Sequence, residues 1–135
     1  MSLSADRMTP ERQGDILVIP VAAGVKIFAG SLVMVDAGYA KPAGPTAKGI
    51  VAGRAEEFVD NSNGSDGAVK ISVKRGVFKF KNSTTDPVTS GNLLGVCYMQ
   101  DDETVSGSDQ SGTLGIAGQI VGIDSDGVWV DTRKA

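Results

Sequence analysis

The residues best able to do chemistry in this 135-residue chain are carboxylates, one thiol and a run of cations, because it contains no histidine. Glu56-Glu57 and Asp101-Asp102 are adjacent carboxylate pairs, the residue types of general acid–base work. Neighbours on a strand point to opposite faces, so neither pair is placed to share a pocket. Cys97 is the single cysteine, which excludes an intramolecular disulfide, and its neighbours Val96 and Tyr98 make it an ordinary strand thiol. Without histidine, Ser-His-Asp and Cys-His catalysis and every histidine-containing metal site are excluded. A multi-cysteine zinc site is excluded as well.

Two loops superficially suggest ligands. Asp60, Asn61, Asn63 and Asp66 resemble a calcium loop, but Ser62 and Gly64 stand where an EF-hand needs its third and fifth ligands. Asp124-Ser125-Asp126-Gly127 lacks the distant bidentate Glu and reads as a turn. Gly115, Gly118 and Gly122 lie in a strand-like run with no phosphate-loop lysine, so close backbone packing or bulges explain them better. The sequence therefore assigns no catalytic residue, no metal ligand and no cofactor.

Cations give the sharpest pattern. In AVKISVKRGVFKFK (68–81), Val69, Ile71 and Val73 alternate with polar residues at odd positions, whereas Phe78 and Phe80 alternate at even ones. Keeping both sets in one core requires a one-residue dislocation, and Arg75-Gly76 is the expected bulge in one long bent strand. Its outer face is basic, with Lys70, Lys74, Arg75, Lys79 and Lys81 holding five of the chain's thirteen cations against a net charge of −3. Phosphate tracking would need such a cation row. The acidic balance and the core-like phenylalanines argue against nucleic acid, leaving a solvated, lysine-guarded edge or docking on an acidic protein surface.

The elements that must carry these residues are short. Eighteen glycines, nearly twice the ~7% average, with few aromatics, indicate many tight turns and an all-β domain. Residues 1–13 read as a polar arm in which Thr9-Pro10-Glu11 resembles a helix start. Residues 14–135 read as a single β domain. Runs at Ile16–Ile19, Val25–Phe28 and Leu32–Val35 are strands, with Pro20 ending the first or marking an edge. Gly49–Val59 and Ala68–Lys74 are expected to pair as a long hairpin with Asp60–Gly67 at its tip. A second hairpin joins the NLLGVCYMQ strand to the acidic turn at Asp101–Thr104. Asp126-Gly127 closes the last one. About ten short antiparallel strands with little helix predict a compact β-barrel or sandwich. No internal repeat stands out. Alternation places Trp129 opposite to Val128 and Val130, outward if they are core, where it becomes a candidate subunit contact. No apolar run reaches the ~18 residues of a membrane span and the N-terminus lacks a signal peptide's apolar stretch, so a soluble, unexported product is expected.

The order of these features resembles tailed-phage head-decoration, or capsid cement, proteins. The resemblance rests on GDILVIPVAAGVKIFAGSLVMVDAGYAKPA, the return through GIVAG, the Val69–Phe78 segment, Ser90–Tyr98, GIAGQIVGID and the terminal DGVWVD, and covers roughly residues 14–131. It implies a small non-enzymatic β protein on the virion capsid surface, made in the bacterial cytoplasm, binding the major capsid protein and acting as a homo-oligomer, often a trimer. It also implies an arm that reaches onto the shell, which adds Arg7, Met8, Thr9, Pro10 and Arg12 to Lys70, Lys74, Arg75, Lys79 and Trp129 as candidate partner-binding residues. The competing class is a soluble ligand- or carbohydrate-binding β domain whose site is the basic face or the Asp60–Gly67 loop.

Overall fold

The computed structural model describes residues 2, 4–9 and 14–134. The expected helix start depends on Pro10 and Glu11, which lie outside the described residues. The chain is all-β, as its alternation and turn chemistry predict. A first lobe holds β1 (Ile16–Pro20), β2 (Lys26–Ile27), β3 (Leu32–Asp36), β4 (Tyr39–Pro42), β5 (Ile50–Ala55), β6 (Val59–Asp60) and β7 (Lys70–Lys74). A second holds β8 (Val77–Asn82), β9 (Val96–Met99), β10 (Thr104–Ser106), β11 (Ile116–Asp124) and β12 (Gly127–Asp131), with one 3-10 turn at Ser90–Asn92.

The expected bent strand is in fact two strands in two sheets. Ile71 and Val73 of β7 enter the first lobe's core, whereas Phe80 of β8, with half-buried Phe78, belongs to the second. The parity change at Arg75-Gly76 is a change of sheet, so no bulge is needed to bring both apolar sets into one core. The long hairpin is also corrected. β5 and β7 pair only at Arg54↔Lys74 and Ala55↔Val73, and the chain between them leaves to form β6 against β2. The β9–β10 and β11–β12 hairpins form as expected, but the last turn is Ser125-Asp126, one residue earlier than the Asp-Gly signal, with Gly127 already paired to Asp124 in β12.

The two lobes repeat one topology. Their strand orders are β1-β7-β5-β3-β4 and β8-β12-β11-β9-β10, every neighbouring pair antiparallel. Parallel β8–β10 pairing closes the second into a barrel, whereas the first is a five-stranded sheet whose two edges meet at a single parallel bridge, Val21↔Ala40. Registers correspond residue by residue. The β3–β5 ladder skips Ala52 between Met34↔Val51 and Val33↔Gly53, and the β9–β11 ladder skips Ala117 between Tyr98↔Ile116 and Cys97↔Gly118. Flanking hydrogen bonds follow suit: the Gly30 amide donates to Ala55 O at 2.9 Å and the Leu94 amide to Ile120 O at 2.8 Å. The Ala22 and Ser83 amides donate to Ala40 O and Val105 O at 3.0 and 2.9 Å.

Gly53 and Gly118 occupy the same place in the two bulges, with φ of 144° and 156°. A Cβ on either would run into a carbonyl of the neighbouring strand, Lys74 in one lobe and Asp131 in the other. Only glycine allows that approach. Gly53→Ala and Gly118→Ala are each expected to destabilise by about 1–3 kcal/mol. Gly44→Ala, whose added Cβ would meet only Pro42 O at 4.0 Å, should be close to neutral. Urea unfolding of the three variants checks this, and a neutral Gly53→Ala would contradict the shared constraint.

Candidate docking face

Strand register decides which cations share a surface. Ile16↔Lys74, Val18↔Ser72 and Pro20↔Lys70 are directly opposed, so exposed Ile16, Val18, Lys70 and Lys74 lie on one outer face of the first lobe. Arg54 joins them opposite Lys74 from β5. Its guanidinium stacks 4.4 Å from the Phe78 ring centroid and bonds Glu56 at 3.1 Å. Among the described residues, Lys70, Lys74 and Arg75 form no ion pair. Arg75 sits in the interlobe link, its amide donating to Asp15 O at 2.7 Å.

Lys79 and Lys81 do not extend this face, which corrects the five-cation stripe. Both are on β8 in the second lobe and both are neutralised there. Lys79 Nζ lies 3.1 Å from Asp126 and 4.0 Å from Asp124, and Lys81 Nζ lies 2.6 Å from Glu103. The Lys79 hydrogen bond and charge hold the Asp126 carboxyl below its usual range, and Glu103 raises Lys81. Trp129 faces outward between buried Val128 and Val130, as alternation predicts. Its indole donates to Asp124 Oδ2 at 2.9 Å and Lys79 lies 5.6 Å from its ring centroid. These internal contacts leave it a weaker candidate for a subunit contact.

Corresponding positions make the contrast sharp. Lys79 stands where the first lobe has Val18, Trp129 where it has Ser72, and Asp131 where it has Lys74. The second lobe thus satisfies its own face, while the first presents cations beside exposed aliphatics. That combination suits an acidic protein surface with apolar patches. In the arm, Arg7 donates to the Thr9 hydroxyl at 3.2 Å and Met8 is exposed. Pro10 and Arg12 are outside the described residues.

The remaining candidates have structural roles. Asn61 is buried and its amide donates to the carbonyls of Val21, Ala22 and Ser65 at 3.2, 2.9 and 2.9 Å. Asp66 accepts from the Ala23 amide at 2.8 Å. The Asp60–Gly67 loop therefore pins the β2–β6 ribbon to β1. Cys97 is fully buried, and burial pushes its thiol up to about 12. Asp101-Asp102 lies in a turn rather than on a strand; burial, Asp101 and Glu103 raise Asp102. Sequence reasoning missed Ile16 and Val18 because Ile16–Ile19 is apolar throughout, and only pairing with β7 shows which of its residues face out.

No family model, curated protein or solved structure matches the chain.

Asp131, almost fully buried, accepts from Arg133 Nε at 3.0 Å. This hydrogen bond holds its carboxyl below the usual range despite burial. A folded pKa below the unfolded one adds stability above the unfolded value, and that stability is lost as pH falls through the folded pKa. Asp131→Asn should therefore lower the melting temperature by a few degrees at neutral pH and by less in acid. A parallel drop at every pH, followed by thermal unfolding from pH 7 to pH 2, would remove the ion pair as its cause.

Proposed function

We propose that this chain is a non-enzymatic phage or prophage structural protein that docks on the outside of a capsid and strengthens contacts between shell subunits. The observation that carries the reading is the open face of Ile16, Val18, Lys70 and Lys74, set against a corresponding second-lobe face whose charges are neutralised internally. A rigid β body with such a surface suits attachment to a fixed lattice of acidic protein, here the major capsid protein. Residues 14 and 15 lead directly into β1, whose Ile16 and Val18 lie on this face. Many copies on a shell let each contact stay modest, and a homo-oligomer, with a trimer favoured, multiplies it further. On this reading the protein is found at the virion surface after assembly in the bacterial cytoplasm. The ligand-binding alternative gains less support, since the Asp60–Gly67 loop directs its polar groups to its own backbone.

Co-sedimentation with phage heads, together with head resistance to heat with and without the protein, tests the proposal. Lys70→Glu combined with Lys74→Glu should leave folding intact and weaken head association by about tenfold or more. Heads that bind none of the unaltered protein would end the capsid reading, and unchanged binding by the double variant would remove this face from it.

A further inference from the structure

The lobe repeat shows which surface of one lobe is built to receive another. In the first lobe β3 points Val33 and Val35 into its own core and Leu32 and Met34 outward, where both are buried with Ala43 against the second lobe. Half-buried Val51 packs against the same cluster. The Leu32 amide crosses between lobes to Asp102 O at 2.9 Å, in the turn joining β9 to β10.

In the second lobe the register equivalents of Leu32, Met34 and Val51 are Val96, Tyr98 and Ile116. Leu32 is fully buried, yet Val96 is 37% and Ile116 39% exposed. At the strand entrance, where the first lobe has Ala29-Gly30, the second has Leu93-Leu94, 51% and 65% exposed. Between the lobes, Tyr98, Ile116 and Leu114 of the second and Ile50 and Val51 of the first line a groove of about 530 Å³ that borders this face. A contiguous exposed apolar patch of this kind marks an interaction surface.

We infer that the Leu94–Val96–Tyr98–Ile116 face binds a second copy of this chain, head to tail. The partner is set by continuity: the face repeats one that, within the same chain, is already covered by a lobe of the same topology. In that arrangement the β3–β4 turn of the next copy, around Ala37, takes the place that the β9–β10 turn takes inside the chain. A heterologous contact of this type closes into a ring or extends a filament, according to the rotation per step. The inference names the surface for the self-association contained in the capsid reading, but it stands on the repeat and not on shell binding.

Light scattering after size exclusion, over a concentration series of the full chain, tests it. The unaltered protein should exceed its 13.9 kDa monomer mass. Val96→Glu should shift it to monomer with unchanged circular dichroism. Leu94→Asn should weaken association at least tenfold, and its fold is safe because Asn tolerates the left-handed backbone there, φ 68°. Ala37→Arg, on the opposite partner surface, should also give monomers. A mixture of Val96→Glu and Ala37→Arg should recover dimers, since each supplies the surface that the other lacks. An unaltered chain that stays monomeric at millimolar concentration, or association unaffected by Val96→Glu and Leu94→Asn, overturns the inference. Failure of the mixture to form dimers overturns the head-to-tail arrangement. A monomer that still binds heads would sink this inference alone, whereas oligomers that ignore heads would sink the capsid reading alone.

Discussion

Everything in this molecule depends on β3 being buried on both faces. Val33 and Val35 pack inside the first lobe, and Leu32 and Met34 pack against the second. A strand with two dry faces must be apolar at consecutive positions, which explains why Leu32–Val35 does not alternate. Fully burying side chains of this size contributes about 1.5–3 kcal/mol each, so one strand supplies contacts that both lobes share. The backbone reinforces the joint through the Leu32–Asp102 hydrogen bond and through the glycine at 115, where a Cβ would strike Gly49 O.

Around that joint the two lobes keep one backbone plan and diverge in side chains. The bulge glycines persist because carbonyl oxygens crowd them in both lobes. The outer faces have separated into a neutralised cluster around Lys79, Trp129 and Asp126 and an open, basic-aliphatic surface around Val18 and Lys74. The first lobe also carries an addition, the β2–β6 ribbon, held by buried Asn61 and contributing Ile27 and Val59 to the core. The second lobe makes the corresponding connection between β11 and β12 with a tight two-residue turn at Ser125-Asp126. Repetition with local divergence lets one lobe serve as the reference for what is unusual about the other.

Much of the fold was legible residue by residue. Alternation put Ile71, Val73 and Phe80 inside and Trp129 outside, and turn chemistry located the last hairpin. The repeat was not legible, because topology constrains only where a backbone must bend or a side chain must fill a core. Ala52-Gly53 and Ala117-Gly118 match, as do Val73 and Val130, but Val18 corresponds to Lys79 and Lys74 to Asp131. Of the proposed partner-binding cations, Lys70 and Lys74 share one exposed face. Lys79 was grouped with them because a strand read in isolation carries no information about which sheet it joins.

By itself the sequence determined the secondary-structure class, the places of most turns, the inward and outward set of the strands that alternate, and the exclusion of histidine- and multi-cysteine-based chemistry, since these follow from local backbone preference and composition. The tertiary structure alone decided that two parities mean two cores, that Lys79 is neutralised by Asp126 across 47 residues, and that Val18 and Val96 face outward on lobes of one plan. The physical reason is that pairing between distant strands sets those outcomes, and strand pairing is a property of neighbours that the chain brings together only on folding.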